Sequence, residues 1–352
     1  MKALMKTKPG PGNVELLDMS EPAASGDLVK IRVVYSGICG TDLHTWDGVY
    51  PGNKPPVVLG HEFSGYVAEI GPEVRSLKPG DRVTSETTFS TCGTCIYCRR
   101  KDYNLCSSRK GIGTQVNGSF AGYVLSREES VHKLPGTVSL LSAALAEPLA
   151  CAVHGCLERT DVHSGNTALI LGPGAIGLLS AMTVLSRGAS VILSGVSADE
   201  DRLAFARTAG VLWAIDQQKE DLSAVVMELT GGLGAAPVIE CSGNIKALNT
   251  ALRLAAKQAD IVTLGLFPDQ YNEIDTGVFF SKELRLTGSR TQKPSSWRTA
   301  IDLMAAGNLV PEKLVTDIFP LEEWQKAFMA VRDRKGIKTV IQCSREEPPA
   351  IE

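Results

Sequence analysis

Four cysteines fall close together as Cys92-x2-Cys95-x2-Cys98-x7-Cys106. That spacing puts four thiolates on one compact loop, and Zn²⁺ takes four such ligands in a tetrahedron. A shell closed by protein leaves no position for substrate, so the loop predicts a structural zinc site. An iron–sulfur cluster also takes four thiolates, but nothing around the loop points to electron transfer. Free cysteines, by contrast, are usually buried rather than regularly spaced on a polar stretch.

A second set is scattered. Cys39 lies in the turn Gly37-Ile38-Cys39-Gly40, straight after an apolar run, and His61-Glu62 follows Gly60 before another. A catalytic zinc keeps about three protein ligands and one open position, and flanking glycines let the backbone come close to a metal. Glu147 is the fourth candidate, at the end of the apolar run before Pro148-Leu149. A carboxylate there needs a partner, because burying an unpaired charge is costly. A metal is one such partner, and a salt bridge is the other. Taken singly, a cysteine or a histidine is more often ordinary packing.

A third signal is Gly172-Pro173-Gly174-Ala175-Ile176-Gly177. It follows the apolar strand Ala168–Leu171 and opens the apolar helix Ile176–Ser186, the context that G-x-G-x-x-G requires. The glycines allow a tight turn, and the helix N-terminus offers free N–H groups to a pyrophosphate. The turn therefore predicts a bound dinucleotide. The second strand of such a unit usually ends in an acid that takes the ribose 2′-hydroxyl. Here it ends Leu193-Ser194-Gly195-Val196-Ser197, with Gly195 in the acid's place. Gly195 and Ser197 leave room for a 2′-phosphate, and Arg202 can pair with it, which leans the reading to NADP. Asp199, Glu200 and Asp201 argue the other way, since they would repel a phosphate.

The elements that must position these groups fall into two textures. Residues 1–150 are β-rich, with runs at Leu28–Tyr35, Gly65–Ile70 and Arg82–Thr84 between Gly/Pro turns. Residues 140–158 look helical and apolar. From Thr167 strands and helices alternate: Val191–Ser194, Asp201–Ala209, Val238–Cys241, Ile245–Leu254, Asp260–Leu264 and Leu284–Gly288. This is the βαβ pattern of a parallel sheet. A helix (Ser296–Ala306) and a strand (Thr339–Gln342) follow, and the tail Arg345-Glu346-Glu347-Pro348-Pro349 reads as a frayed end.

The chain has 352 residues, enough for about two domains. Its 43% apolar and 21% charged residues are ordinary for a globular protein. A net charge of -3 gives no footing for nucleic acid or an anionic membrane. No apolar run approaches the ~20 residues of a membrane span, and Met1–Lys6 carries no secretory h-region. A cytoplasmic location is the expectation, and cysteines spaced like these then point to metal rather than disulfides.

Taken in order, Gly37–His44, Gly60-His61-Glu62, the four-cysteine loop and the glycine turn resemble the zinc-containing medium-chain dehydrogenase/reductase superfamily over essentially the whole chain. Gly60–Gly65 and Glu147-Pro148-Leu149 look most like its polyol and threonine dehydrogenase branch. The resemblance implies an α/β protein: a GroES-like catalytic domain (1–149 and 291–352) and a Rossmann domain (150–290), with the active site in the cleft between them. It implies catalytic zinc near Cys39, His61, Glu62 and Glu147, with water standing in for one carboxylate in some states, and hence two zinc ions per chain. It implies a proton path from substrate through Thr41, the ribose and His44 to solvent, while hydride passes to the nicotinamide. A helix cap and a surface histidine are the plain alternatives for Thr41 and His44. The resemblance further places Ser242 beside the adenosine or pyrophosphate, and Leu266, Ser289 and Arg290 near the nicotinamide half. It also implies a homo-oligomer, a dimer or tetramer.

Threonine dehydrogenases of that branch tend to carry a histidine a few residues before the first loop cysteine, where this chain has Phe89. The expectation is therefore a secondary alcohol such as a polyol or cyclitol, with threonine or an amino sugar as the alternative. Trp46, Tyr50 and Phe89 are candidates for a pocket wall, or simply for packing. A nucleotide-binding protein without turnover, holding only the structural zinc, is a further alternative.

Overall fold

The run Leu28–Gly37 becomes the central strand of a seven-stranded sheet in the computed structural model, which describes residues 1–347. Val29, Ile31 and Val33 alternate into the core, the period that one buried sheet face requires. On one side the strand pairs antiparallel with Glu62–Ile70. On the other it pairs with Tyr123–Arg127 and, at its end, with Lys338–Gln342. Arg82–Ser85 and Val131–Lys133 extend one edge, and Val315–Pro320 the other. A smaller sheet joins Val14–Asp18, Lys2–Lys6 and Val57–Val58. These strands belong to one compact unit, residues 1–147 with the segment from 293 onward.

A strand and a helix near the end of this unit are among the elements not foreshadowed in the sequence. Val315–Pro320 is half-buried, carries a register irregularity and ends in proline. Trp324–Arg332 is a helix that buries Trp324, Ala327 and Phe328 at i, i+3 and i+4. The tail is also better held than a frayed end. The Arg345 carbonyl accepts from Arg32 Nη1 at 3.1 Å, and the Tyr35 hydroxyl donates to Glu346 at 3.1 Å. Pro348-Pro349 lie outside the described residues.

The second unit spans 148–292. Its six strands are all parallel, in the spatial order Trp213–Asp216, Ser190–Gly195, Thr167–Leu171, Val238–Glu240, Asp260–Thr263, Arg285–Gly288. In chain order that is 3-2-1-4-5-6, the doubly wound arrangement. Strand Trp213–Asp216 and helix Leu222–Leu229 add to the expected elements. The continuous apolar run 140–158 is broken into helices Leu140–Ala144 and Ala146–Val153 and a π-helical turn, His154–Glu158.

Candidate active site

Sheet register brings the scattered candidates together. Gly37 pairs directly with Glu62 across two antiparallel strands. Cys39 therefore emerges just past the end of one strand where His61-Glu62 begins the next. Their ligand atoms, one thiol, one imidazole and one carboxylate, all lie within 4.8 Å of one another. Cys39 precedes the helix Gly40–Trp46, and the Asp42 carboxylate accepts its backbone N–H at 2.9 Å. Asp42 is buried and also faces His61, with Oδ1 3.8 Å from Nδ1. Thr41 Oγ1 lies 3.5 Å from His61 Nε2, and His44 is exposed on the same helix.

A group the sequence did not flag completes the cluster. Lys338 Nζ lies 2.5 Å from Glu62 Oε2 and donates to the Ile38 carbonyl at 2.8 Å. It reaches there because Val340 pairs with Gly37 on the opposite side of the central strand. The ion pair thus crosses over Gly37, and a Cβ at that position would run into Glu62 Oε2. The glycine is required by this close approach.

The donor chemistry fits a divalent zinc ion. His61 Nδ1 is buried without a hydrogen-bond partner, and the buried Glu62 Oε2 meets Lys338. Burial alone would lower the His61 and Lys338 pKa values. Burial is the largest single influence, but Asp42, Cys39 and Glu147 together outweigh it at His61, and Glu62, Cys39 and Glu147 together outweigh it at Lys338, so both bases sit above their ordinary values. Burial pushes the Asp42 carboxyl up. These are the marks of a pocket that favours positive charge. Glu147 is buried nearby and stands outside the tight trio, but its charge acts on both His61 and Lys338.

The four loop cysteines form a second group within the same 4.8 Å limit. Sulfur separations are 3.8 Å for Cys92–Cys98, 3.5 Å for Cys95–Cys98 and 3.7 Å for Cys92–Cys106. A zinc–sulfur bond of about 2.3 Å gives tetrahedral edges of about 3.8 Å, so the loop has the size of a Cys₄ zinc cage. Backbone N–H groups point at these sulfurs, as at Cys92 from Cys95. Thr94's N–H first, then that of Cys95, lower the pKa of the Cys92 thiol.

In the second unit the glycine turn sits as expected between Thr167–Leu171 and the helix Ala175–Leu185, with Gly174 as N-cap. Gly172 adopts a positive φ of 99°, and a Cβ on Gly177 would strike the Gly172 carbonyl. Ala175, Ile176 and Gly177 make up the first turn, whose N–H groups have no intrahelical acceptor. Ser242 lies against Gly172, and its hydroxyl donates to Glu240 at 2.5 Å. The exposed Leu266 lays its backbone over Gly243. Ser289 donates its N–H to the Thr263 carbonyl, and Arg290 is exposed beside it.

Two of the pocket-wall candidates are packing. Trp46 meets Trp324 and Phe328 edge-on at 5.9 and 5.7 Å. Phe89 packs against the core around Val29 and Phe63. Tyr50 folds its ring over Gly52. Among the described residues, no helix is long and apolar enough to cross a membrane, and none of the nine cysteines is in a disulfide.

Residues 25–136 match the family described as the alcohol dehydrogenase GroES-like domain, and residues 175–306 match zinc-binding dehydrogenase. The chain is 46% identical to a D-arabitol-phosphate dehydrogenase of Enterococcus avium, covering 99% of each. It is 44% identical to a sorbitol dehydrogenase of Halalkalibacterium halodurans, covering 97% of this chain and 99% of that one. A solved zinc-binding dehydrogenase of Sinorhizobium meliloti bound to NADP superposes with a TM-score of 0.89 at 32% identity, covering 97% and 98%. The chain belongs to the zinc-containing medium-chain dehydrogenase/reductase family of alcohol dehydrogenases.

Proposed function

We propose that this protein oxidises a secondary hydroxyl of a polyol or polyol phosphate to a ketone, with hydride passing to NAD(P). The convergence of Cys39, His61 and Glu62 in a chain so similar to arabitol-phosphate and sorbitol dehydrogenases carries the reading. Two zinc ions per chain are part of it, one at that trio and one in the Cys92–Cys106 loop. Nine cysteines with no disulfide suit a reducing compartment such as the cytoplasm. We also keep the homo-oligomer, dimer or tetramer, that the family likeness implies.

Zinc, when bound, supplies Lewis acidity that lowers the pKa of a substrate hydroxyl. The chain's own residues do the rest. Cys39, His61 and Glu62 would hold the ion, with Glu147, whose charge acts on His61, as the fourth candidate. Asp42 fixes the Cys39 turn through its backbone N–H and orients the His61 ring from behind. Lys338 holds the Glu62 carboxylate in place. The Thr41 hydroxyl accepts the substrate proton as it gives its own on toward the ribose, and the exposed His44 hands a proton from there to water. The Gly172–Gly177 turn holds the pyrophosphate.

A panel of polyols, polyol phosphates, simple secondary alcohols and L-threonine, each with NAD and NADP, tests the reading at the nicotinamide absorbance. Turnover of a polyol or its phosphate is expected. Turnover of threonine alone, or one zinc per chain with no turnover, would sink it.

A further inference from the structure

The strand Ser190–Gly195 ends without the acid that usually takes a ribose 2′-hydroxyl. The neighbouring strand supplies one. Gly195 pairs in parallel register with Asp216, the last residue of Trp213–Asp216. Asp216 is 2% exposed. The Ser197 hydroxyl donates to its Oδ2 at 2.6 Å, and the Gln218 N–H donates to Oδ1 at 3.0 Å. Lys219 Nζ stands 3.0 Å from Oδ2. Ser197 first, then Gln218 and Lys219, hold this carboxyl below the usual carboxylate range, so it stays ionised.

A serine hydroxyl has one hydrogen to give. Here it is given to Asp216, so Ser197 Oγ offers only lone pairs to a molecule arriving from outside. Other donors around the loop are engaged as well. The Ser197 N–H donates to Gln218 Oε1 at 2.9 Å, and the Val196 N–H donates to Asp199 Oδ2 at 3.2 Å. Arg202 Nη1 lies 3.5 Å from Asp199 Oδ1. Lys219 is shared between Asp216 and Glu200. The space over Gly195 is closed too: a Cβ there would meet Pro173 Cγ at 2.8 Å and Asp199 Cβ at 3.3 Å.

The two cofactors differ only at the ribose 2′ position. A 2′-phosphate brings a charge of about −1.5 to −2 and acceptors alone. It would meet an acceptor backed by a buried carboxylate. A 2′-hydroxyl brings a hydrogen and matches the Ser197 lone pair. We propose that Asp216, acting through Ser197, is the specificity-determining acid of this cofactor site and sets the enzyme to NAD over NADP. This rests on the reading that Gly172–Gly177 holds a dinucleotide. It runs against the lean toward NADP that Gly195 and Arg202 give in the sequence.

Titration of the zinc-loaded enzyme with NADH and NADPH, followed by nicotinamide fluorescence, tests it. The wild type binds NADH more tightly by about tenfold, the upper worth of one hydrogen bond to a neutral acceptor. Asp216→Asn keeps an acceptor for the Gln218 N–H but can donate to Ser197 and turn its hydrogen outward. The NADH preference then falls by about tenfold. Ser197→Ala weakens NADH and leaves NADPH nearly unchanged, and it carries the test if Asp216→Asn does not fold. Equal binding of both cofactors by the wild type would overturn the inference alone, as would an unaltered ratio in the folded variants. Binding of neither would overturn the dinucleotide reading and this inference with it.

Discussion

Replacing Lys338 with methionine should reveal how the metal centre is held together. Lys338 and Glu62 are 5% and 1% exposed, 2.5 Å apart. At an effective dielectric near 20 such a pair attracts by roughly 6–7 kcal/mol. Desolvating the two ions takes back several kcal/mol each, so the intact pair is nearly neutral for stability. The substitution does not remove that balance. It strands a buried carboxylate, with Asp42 and Glu147 close by, and stranding one ion costs about 3–5 kcal/mol. For a cooperative unit of this size each kcal/mol lowers the Tm by about 2–4 °C, so a fall of about 6–20 °C is expected in metal-stripped protein. Zinc supplies a replacement positive charge beside Glu62, so the zinc-loaded variant should lose markedly less. Removing the stranded charge in Glu62→Gln/Lys338→Met should recover most of the loss. The assay is thermal unfolding by tryptophan fluorescence, with and without chelator. A loss under about 1 kcal/mol in stripped protein, or no recovery in the double variant, would refute the reasoning.

Other outcomes follow from the same structure. Cys39→Ser should abolish turnover yet keep the loop zinc, whereas Cys95→Ser should lose the loop zinc; atomic absorption counts the ions in each. Phe89→Leu should cost about 1 kcal/mol in urea unfolding and leave the substrate KM unchanged, because the ring packs in the core; a large KM change would return it to the pocket wall. The Ser76 hydroxyl and N–H and the Arg75 N–H all donate to Glu128, with Ser76 the main cause of its lowered pKa. A lowered folded pKa gives stability that is present above the unfolded value of about 4.3 and is lost as pH falls through the folded one. Glu128→Gln should therefore flatten the acid side of the stability curve below about pH 4.3. An unchanged acid limb would count against the Ser76 contacts.

The parts of the site legible in the sequence are those whose chemistry is local. The Cys92–Cys106 spacing fits a zinc cage because all four thiols lie on one loop, and the Gly172–Gly177 turn fits a pyrophosphate because strand, turn and helix are consecutive. Cys39 and His61-Glu62 are readable as candidates because each stands beside a glycine at the end of a strand signal, Cys39 after one and His61-Glu62 before one. Lys338 was not, since a lone lysine opening an apolar strand says nothing of which strand lies beside it. Aromatic residues were equally mute: Trp46 and Phe89 have the composition of a pocket wall but point into packing clusters.

Asp216 shows why the rest was hidden. The sequence rule seeks the ribose acid at the end of the second strand itself, and there Gly195 stands. Parallel strands, however, end side by side at one edge of the sheet, so the neighbour's terminal residue occupies the same neighbourhood. Gly37 makes the same point in an antiparallel setting. Its missing side chain leaves room for Glu62 from one neighbour to reach Lys338 from the other. In both places a glycine on one strand makes sense only through charged groups carried by strands beside it. A motif therefore locates where a strand ends, and the order of strands in the sheet decides which distant charges meet there. Given 3-2-1-4-5-6, an acid absent from the second strand should be sought first at the end of the third.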